Sequence, residues 1–502
     1  MQRRQFFQSA LGAAIAASLP VARAAEVLSK SSPDVIAVTG RGAQTTLKRN
    51  AVQELSDSLR GRLLLPDNPA YEKARRVINP AIDKHPALIV QPSGVADIRN
   101  AVDFARANAL LVAVKGGGHS PGGKSTCDGG MMIDLSMFRH ARVDVASKTA
   151  YIAGGSLLGD LDHESQAFGL VTTAGTVSHT GVGGLTTGGG FGRLSRRFGL
   201  ALDNVKAVDV VTADGQLRHA DAEENPDLYW GVRGGGGNFG VVTSFEFRLH
   251  PMARQVIGGD VEYPLSELRS LLKFYNDFSA SAPDELYLDF FAMAPAKGDG
   301  LVAIHACYSG PPNKAEQVLA PLRKAGTVKG DSIATVDYVA LQRAGDQTDV
   351  RLEGQYFKSG FTGGVSDKLI DAIVSGLKAH PERSTRVFMQ QCGGAVSRVP
   401  VSSTAFAHRK AQQNLILSVT WPIEMQGKSH IDYTRKFWAT LEPSTLGFYT
   451  NEVVNESQSV VNQNYQENYP RLLSVKKQYD PTNLFRLNAN IDPSAPDVRK
   501  SA

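Results

Sequence analysis

Residues 110–123 read Leu-Leu-Val-Ala-Val-Lys-Gly-Gly-Gly-His-Ser-Pro-Gly-Gly, an apolar run that ends in three glycines and a histidine. The apolar part predicts a short buried strand. The glycines after it predict a loop whose backbone amides converge on an anion such as a phosphate. His119 would then stand at a fixed distance from the bound group. A core histidine bonded to nearby backbone is the alternative, and this loop argues against it.

The sequence before this loop places it in an α/β unit. Residues 87–90 are apolar and predict a buried strand, and the apolar spacing of residues 95–107 predicts a helix. Asn108 follows that helix and is expected in the left-handed conformation. A strand, a helix and a second strand at this spacing are typical of α/β architecture.

Further along, turn residues separate apolar segments. Residues 205–212 and 216–220 flank Ala-Asp-Gly, which predicts a hairpin. Asn225 and Pro226 predict a helix start, with Asn225 as the cap and Pro226 as the first helical residue. The alternating residues 241–249 predict a strand.

A formal dinucleotide-binding pattern occurs at Gly235-x-Gly237-x-x-Gly240. That fingerprint needs a strand before it and a helix after it, so that the helix N-terminus faces a pyrophosphate. Here the predicted helix comes first and the strand second, which excludes the nicotinamide interpretation. We expect a turn whose amides pack against a cofactor, with a purely structural glycine turn as the alternative.

A second long glycine run spans residues 181–192 and reads Gly-Val-Gly-Gly-Leu-Thr-Thr-Gly-Gly-Gly-Phe-Gly. Glycine loses more backbone entropy on folding than any other residue, so such a run needs a compensating function. A flat ligand pressed against the backbone would supply one.

The N-terminus has the pattern of an export signal. Residues 1–24 contain Arg3 and Arg4, then an apolar run, then Ala-Arg-Ala, and no acidic residue. This pattern predicts a cleaved signal peptide of the twin-arginine type, which delivers a folded protein to the periplasm or the exterior. A membrane anchor is the alternative, but the apolar run is short for a bilayer. No later segment predicts a stable membrane span.

Composition limits the remaining options. The net charge of +5 falls to +2 without the three arginines of the leader, which is too low to indicate a nucleic-acid partner. No cluster has metal-ligand spacing, so no metal is predicted. Cys127, Cys307 and Cys392 lack CxxC spacing, and we expect buried thiols, with one disulfide as the open alternative.

The composition of the chain changes at residue 251, after which runs of glycine are nearly absent. Predicted strands are 286–292, 301–308 and 415–421, and predicted helices are 265–278 and 367–379. We expect five parts. The leader (1–24) is followed by an N-terminal lead (25–79), which is poorly ordered at 25–50 and contains a helix at 51–59. A first domain (80–250) precedes a substrate domain with an antiparallel sheet covered by helices (251–445), and a C-terminal segment (446–490) packs back on the first domain.

Four motifs in this order resemble the berberine-bridge-enzyme-like branch of FAD-linked oxidases, within the vanillyl-alcohol-oxidase superfamily. They are Gly-Gly-His-Ser at 117–120, the glycine run leading to Asp-Asn-Val at 188–205, Arg-Gly-Gly-Gly-Gly-Asn-Phe-Gly at 233–240, and Asn-Tyr-Pro-Arg-Leu with Tyr-Asp-Pro-Thr-Asn-Leu-Phe-Arg at 468–472 and 479–486. The resemblance is specific over 80–250 and 446–490 and looser over 251–445. It implies an α+β fold with a two-lobed PCMH-type FAD-binding domain.

The resemblance also implies a cofactor and a site. It implies one covalent link from His119 to FAD, and a catalytic base at Tyr449, with Asn451 beside it and Tyr465 in reserve. The implied cofactor-binding residues are Lys115, Gly116, Gly117, Gly118, His119, Ser120, Gly122, Gly154, Thr173, Gly175, Thr176, Ser178, Gly181, Gly184, Gly188, Gly189, Gly190, Gly235, Asn238, Gly240, Val241 and Asn488.

The chain departs from the family pattern at several positions. Val177 stands where many members have a cysteine that makes a second flavin link, so a single link is expected. Thr180 stands where the family often has Val or Leu, a position associated with oxygen access. Phe198 replaces an active-site tyrosine of some members, and residues 407–409 read Ala-His-Arg instead of Pro-His-Arg.

The implied activity is that of an FAD-dependent oxidoreductase. Hydride would leave a C–H bond of a small organic substrate, such as an alcohol, a sugar or a secondary metabolite, for the flavin, with oxygen as the expected acceptor. The alternatives are a dehydrogenase that uses another acceptor, a flavin-binding protein without turnover, and a glycine-rich structural protein.

Overall fold

A computed structural model of the chain describes residues 34–348, 353–379, 385–452, 454 and 456–495. The predicted signal peptide at 1–24 lies outside the described residues. No helix within the described ranges is long and apolar enough to cross a membrane. Cys127, Cys307 and Cys392 are buried free thiols, as the sequence favoured.

The first lobe carries the loop that ends in His119. Its elements are β1 (Val35–Val38), β2 (Gln44–Leu47), α1 (Arg49–Ser58), β3 (Arg62–Leu64), α2 (Tyr71–Arg75), β4 (Leu88–Gln91), α3 (Val95–Ala107), β5 (Val112–Lys115) and β6 (Met131–Asp134). Four strands form one sheet in the order β3-β4-β6-β5, with β4, β6 and β5 parallel. The carboxyl end of β5 therefore delivers the glycine loop to the edge of a buried sheet.

Two predictions for this lobe are wrong. β1 and β2 form an antiparallel hairpin, so the expected disorder does not hold from residue 35 onward. The alternation that buries Ala37 and Leu47 against the lobe core explains this hairpin. Asn108 ends α3 with φ −101°, and Ala109, with φ +50°, is the left-handed residue instead. The side chain of Asn108 bonds back to the Phe104 carbonyl at 2.9 Å.

The second lobe is built on a five-stranded sheet. Its elements are β7 (Ala141–Asp144), β8 (Thr149–Ala153), α4 (Leu158–Gln166), β9 (Leu170–Val171), α5 (Val182–Gly188), α6 (Ser195–Phe198), β10 (Val205–Thr212), β11 (Leu217–Ala220), α7 (Pro226–Val232), β12 (Gly240–Arg248) and β13 (His250–Pro251). The strand order is β11-β10-β12-β8-β7. The predicted hairpin of β10 and β11 is confirmed, with Gly215 at φ +77° in its turn.

One of the two predictions for the start of α7 is confirmed, and the other is wrong. Pro226 is the first helical residue, but Asn225 makes no side-chain capping bond to the helix. Asn225 adopts the left-handed conformation, and its amide donates to the His219 carbonyl at 2.7 Å. Asn225 therefore fixes the turn between β11 and α7.

The substrate domain has the predicted antiparallel sheet with covering helices. Its elements are β14 (Gln255–Pro264), α8 (Leu268–Ser281), β15 (Leu286–Ala294), β16 (Leu301–Tyr308), α9 (Ala315–Arg323), β17 (Gly330–Asp331), β18 (Ala334–Asp337), α10 (Tyr338–Arg343), β19 (Glu353–Thr362), α11 (Asp367–Ala379), β20 (Thr385–Gln391), α12 (Ala395–Arg398), β21 (Gln413–Pro422) and α13 (Lys428–Leu441). The main strand order is β17-β14-β16-β15-β20-β21-β19, and β18 also pairs with β14. Helices α8, α11 and α13 cover one face, which leaves the other face free to meet the two lobes.

The C-terminal segment packs back on the two lobes. Helices α14 (Gln458–Asn464) and α15 (Tyr469–Tyr479) share a core with the second-lobe sheet. Lys476 on α15 is fully buried, and its ammonium donates to Asp480 Oδ2 and the Asn238 carbonyl, both at 2.7 Å. Breaking such a buried pair costs about 3–5 kcal/mol, so this contact anchors the segment.

Candidate active site

A cavity of about 450 Å³ lies where both lobes, the open face of the substrate sheet and the C-terminal segment meet. Its first-lobe end includes Val112 and Leu135, and its substrate-domain end includes Phe357 and Phe388. Glycine-rich backbone forms most of the wall between these ends. The cavity therefore joins an apolar slot, a backbone-lined middle section and a wall of side chains.

Lys115, the last residue of β5, fixes the start of the loop that follows this strand. The Lys115 side chain is buried, bonds to the Ala74 carbonyl and lies 3.4 Å from Asp134. The next residues approach the second glycine run so closely that a Cβ on Gly117 would lie 2.3 Å from the Gly181 nitrogen. The Gly117 and Gly118 amides donate to no backbone carbonyl of the described residues. They are thus available to an anion, as a phosphate-binding nest requires.

His119 follows this loop and lines the cavity. Its Nε2 lies 2.6 Å from Nδ1 of His179, and its Nδ1 lies 3.5 Å from the Thr180 hydroxyl. One of the two ring nitrogens in the 2.6 Å contact must carry the proton. His179 therefore fixes the orientation of the His119 ring.

The second glycine run forms α5 and then a sharp turn. Gly189 and Gly190 have φ of +153° and +89°, which side chains rarely adopt. The Gly190 amide donates to the Tyr449 hydroxyl at 2.8 Å, and Asn451 Nδ2 donates to the same oxygen at 2.8 Å. This turn thus locks the C-terminal segment against the backbone wall of the cavity.

The third glycine run, residues 234–240, lies between α7 and β12. A helix before the run and a strand after it confirm the predicted order of elements, which is the reverse of the order that a nicotinamide-binding GxGxxG needs. The amides of Gly234 and Gly236 donate to the Thr187 carbonyl at 2.8 and 3.0 Å. Asn488 donates to the Gly237 carbonyl at 3.0 Å, which holds the tail over this turn.

Most predicted cofactor residues meet in this cavity. Those that line it are Gly116, Gly117, Gly118, His119, Ser120, Gly154, Gly175, Thr176, Gly181, Gly184, Gly235, Gly240, Val241 and Asn488. The predicted catalytic residues Tyr449, Asn451 and Tyr465 line it as well. The cavity thus collects residues that lie more than three hundred positions apart.

The remaining predicted cofactor residues lie behind the wall or away from it. They are Lys115, Gly122, Thr173, Ser178, Gly188, Gly189, Gly190 and Asn238. The Thr173 hydroxyl donates to the Gly199 carbonyl at 2.7 Å, and Ser178 bonds to Asp346 through its hydroxyl at 2.5 Å. The Asn238 amide donates to the Gly235 and Ala489 carbonyls at 2.7 and 3.0 Å. Their contacts support the wall from outside the cavity.

The surroundings of the predicted base work against a phenolate. Burial is the main cause that raises the pKa of Tyr449 well above its ordinary value, against the hydrogen bonds from Gly190 and Asn451. Burial likewise raises the pKa of Tyr465, whose hydroxyl donates to the Ala489 carbonyl at 3.2 Å. A base role for either tyrosine stays a prediction, and both are better suited to hold geometry through hydrogen bonds.

Sequence reasoning missed the wall opposite the glycines. It consists of Phe357 on β19, Phe388 and Gln390 on β20, and Ile416 on β21, which share one face of the sheet by register. It also missed Glu452 and His179. Glu452 directly follows the Tyr-Thr-Asn segment, and His179 directly follows Val177 and Ser178, so sequence proximity to motif residues was the available signal.

The family departures have structural counterparts. Phe198 stacks on His250 with ring centroids 4.2 Å apart and does not line the cavity. Arg409 forms a buried ion pair with Asp203 at 2.7 Å, and His408 lies 3.0 Å from Asn464. The Ala-His-Arg loop therefore serves packing between the second lobe and the tail.

The residues present fit FAD. A Cβ added at Gly154 would lie 1.9 Å from the Val242 carbonyl oxygen, so backbone packs directly against backbone here and leaves no room for a side chain. A backbone wall without side chains suits a flat ring, and the amides of the first glycine loop suit a pyrophosphate. His119 lies at the boundary between the two.

Comparisons with known proteins agree with this geometry. The family model described as FAD binding domain matches residues 86–221, and the model described as Berberine and berberine like matches residues 448–492. An FAD-linked oxidoreductase of Dictyostelium discoideum is 32% identical over 88% of this chain and 97% of its own length. An (R)-6-hydroxynicotine oxidase of Paenarthrobacter nicotinovorans is 30% identical over 87% of this chain and 97% of its own length.

A solved structure gives the same result for the fold. The crystal structure of 6-hydroxy-D-nicotine oxidase from Arthrobacter nicotinovorans superposes with a TM-score of 0.79 at 28% identity, covering 87% of this chain and 99% of that one. The two-lobed FAD-binding architecture and the antiparallel substrate sheet are thus confirmed. The chain belongs to the berberine bridge enzyme-like family of FAD-linked oxidoreductases.

Proposed function

We propose that this oxidoreductase takes hydride from a carbon that bears a hydroxyl or amine group in a small organic substrate, with oxygen as the final acceptor. The cavity that joins the backbone wall to the substrate sheet carries this proposal. FAD, when bound, supplies the two-electron acceptor. The protein's own side chains bind the substrate against Phe357, Phe388 and Ile416 and hold its polar group near Tyr449, Asn451 and Glu452.

A substrate panel tests the activity. Anaerobic flavin bleaching would be followed with three probes of different chemistry: (R)-6-hydroxynicotine, xylobiose and vanillyl alcohol. We expect one class to bleach the flavin at a rate that saturates with concentration. Bleaching by dithionite but by no organic probe in this or a wider library would instead support a flavin-binding protein without turnover.

A dehydrogenase with another acceptor is the second candidate. Thr180 lines the cavity beside His119, at the position where the family often has an apolar side chain associated with oxygen access. Stopped-flow mixing of the reduced protein with air-saturated buffer separates the two functions. Rapid reoxidation supports an oxidase, and slow reoxidation that a quinone or dye accelerates supports a dehydrogenase.

We further propose that His119 carries FAD through a single covalent link. His119 stands on a loop held by the buried Lys115, and His179 orients its ring at 2.6 Å. A neutral imidazole is a competent nucleophile. Val177 stands where many family members have the cysteine that makes a second link. It has no nucleophilic atom and lines the same cavity.

Acid precipitation and peptide mass spectrometry test the link. The yellow colour should remain with the precipitate, and a tryptic peptide that contains His119 should carry the flavin mass. His119→Ala should remove that adduct. Cys127→Ala is the matched control, because burial raises the pKa of the Cys127 thiol to about 12 and makes it a poor nucleophile. Colour released entirely into the supernatant would contradict covalency.

We also propose export by the twin-arginine route, on the pattern of residues 1–24. Replacing Arg3 and Arg4 together by lysine should leave the protein in the cytoplasm, measured by cell fractionation. Normal export of that double variant would contradict the route.

A further inference from the structure

Glu452 is a carboxyl group placed inside the cavity by a tight turn. Its amide donates to the Tyr449 carbonyl at 2.9 Å, which turns the chain back after Tyr449 and Asn451. All three side chains line the cavity. The half-buried Glu452 therefore lies next to the residues that hold the glycine turn at 188–190.

The carboxyl group is held by the substrate sheet. Asn414 on β21 donates to Glu452 Oε2 at 3.1 Å and to Gln390 Oε1 at 2.9 Å. Gln390 and Asn414 are register partners, so the two amides form a short row on the face that points to the cavity. This row and the Ser359 hydroxyl of β19 hold the carboxyl, and a carboxylate has further lone pairs that can accept a hydrogen bond from a substrate.

Among the residues that the structure describes, no lysine or arginine forms an ion pair with Glu452. Tyr449 and Cys392 are the titratable groups that interact electrostatically with it. Asp289 is the register partner of Gln390, Lys124 lines the same cavity, and Lys358 is paired with Glu456. Burial keeps Tyr449 and Cys392 neutral by raising the pKa of each well above 7. Burial also raises the pKa of Glu452 to about 7, against the hydrogen bonds from Asn414 and Ser359.

A base needs to be within reach of the substrate proton and to have a pKa near the working pH. Tyr449 meets the first condition only, since its oxygen already accepts two hydrogen bonds and its pKa is high. Glu452 meets both conditions. It also stands at the polar end of a wall whose other members, Phe357, Phe388 and Ile416, are apolar.

We infer that Glu452 is the base that takes the proton from the hydroxyl or amine of the substrate, which rests on the hydride-transfer function proposed above. The C–H bond breaks and its electron pair passes with the hydrogen to the flavin. The O–H or N–H proton passes to the Glu452 carboxylate, and a C=O or C=N bond forms. The apolar wall selects substrates whose polar group is attached to an apolar or aromatic ring.

The first test uses the flavin-loaded enzyme and the most effective probe of the three-compound panel. Glu452→Gln should slow anaerobic flavin reduction at least about a hundredfold, the lower end for general bases, with the flavin content unchanged. The wild-type rate should rise with pH through about 7, because the carboxyl must be ionised to accept a proton. The variant should lose this rise. Glu452→Asp, which keeps the carboxyl, should recover part of the rate.

The matched control is Glu467→Gln, which removes an exposed carboxylate of the same C-terminal segment that does not line the cavity. It should keep both the rate and the pH profile. Equal rates for wild type and Glu452→Gln, with the pH rise intact, would overturn the inference. If no organic probe of the panel or of a wider library reduces the wild type, the hydride-transfer proposal fails instead, and the second test decides the state of Glu452 independently.

The second test is an infrared titration of the resting protein between about pH 5 and about pH 9. The protonated-carboxyl signal that disappears near pH 7 should be smaller in Glu452→Gln than in the wild type and unchanged in Glu467→Gln. Subtracting the variant from the wild type removes the signals of other buried acids. A Glu452 carboxyl that stays ionised throughout this range would overturn the inference.

Discussion

The two walls of the cavity are made from different parts of the chain. One wall is backbone, supplied by the glycine-rich segments at 116–118, 181–187 and 235–240. The opposite wall is side chain, supplied by Phe357, Phe388 and their neighbours on the substrate sheet. The backbone wall has no room for an added atom at several positions and carries no titratable group. The side-chain wall has half-buried rings and a half-buried acid.

The difference indicates which half determines which property. A backbone wall fits only one flat ligand shape and changes little without loss of the fold, so it determines the cofactor. A wall of side chains can change residue by residue while the sheet register stays the same, so it determines the substrate.

The largest effect is expected at Gly117. In Gly117→Ala the new Cβ would lie 2.3 Å from the Gly181 nitrogen, and neither backbone segment can move without opening the wall. We expect a loss of about 3 kcal/mol or more in unfolding free energy and loss of bound flavin. Thermal unfolding and the flavin absorbance of the purified protein measure both.

The control for Gly117 is Gly94→Ala. Gly94 precedes α3, and a Cβ there meets nothing within 4 Å. It should keep both the stability and the flavin. Normal flavin binding in Gly117→Ala would show that the backbone wall is more compliant than the contacts indicate.

The next effect is expected where the two walls are joined, at Tyr449. Tyr449→Phe leaves the buried Gly190 amide and the Asn451 amide without their shared acceptor. A buried donor left unsatisfied lowers the unfolding free energy by about 1–3 kcal/mol. Because the turn that joins the two walls loses its anchor, flavin reduction should slow about tenfold or more while FAD stays bound. Tyr465→Phe, which loses one bond of 3.2 Å to the Ala489 carbonyl, should have a smaller effect.

The pH profile of Tyr449→Phe distinguishes a positioning role from a base. The variant should keep the rise in rate through pH about 7 that is expected from Glu452. A loss of about a thousandfold together with loss of that rise would return the base role to Tyr449.

The same division explains what the sequence could predict. Glycine is costly in a fold, so three glycine runs in one chain indicate a ligand site, and most of the predicted positions do line the cavity. Helix α3 was predicted at its observed bounds because its apolar residues recur on one face. Patterns of this kind involve residues that are close together in the sequence, so they can be recognised without the structure.

The side-chain wall could not be predicted in the same way. Phe388 and Ile416 become neighbours only through the pairing of β20 with β21, and Phe357 comes from a third strand. Each is one apolar residue in a strand that has many, so no single position stands out. The hairpin of β1 and β2 was missed for a related reason, since its polar alternation is stabilised by the lobe core.

A moderate effect is expected from a buried acid where the substrate domain meets the second lobe. Asp162 on α4 accepts a hydrogen bond from Gln342 of α10 at 3.2 Å, and burial raises its pKa to about 7. Because the unfolded pKa is about 4, the folded state holds the extra proton between about pH 4 and about pH 7. Stability should therefore fall as the pH rises through that window and level off above it.

Asp162→Asn tests this dependence. The variant should flatten the pH dependence and gain about 1 kcal/mol or more at about pH 8, measured by denaturant unfolding at a series of pH values. Glu164→Gln, a change on the exposed side of the same helix, should leave the profile as it was. A variant profile that overlays the wild type would show that Asp162 is ionised in the folded protein.

The smallest effect is expected from Phe388→Leu. Phe388 is half-buried on the open face of the substrate sheet, across from Ile416, and its ring forms part of the cavity wall. Leucine keeps the wall apolar, so the sheet and the backbone wall should be unaffected and the flavin should stay bound. What is lost is the contact between the ring and a substrate ring, worth about 0.5–1.5 kcal/mol. The apparent dissociation constant of an aromatic probe, taken from the concentration dependence of anaerobic flavin reduction, should rise about two- to tenfold with the limiting rate nearly unchanged. A probe without a ring should show no such change. A fall in the limiting rate or in flavin content would mean that this wall also holds the cofactor, and the division between the two walls would then be wrong.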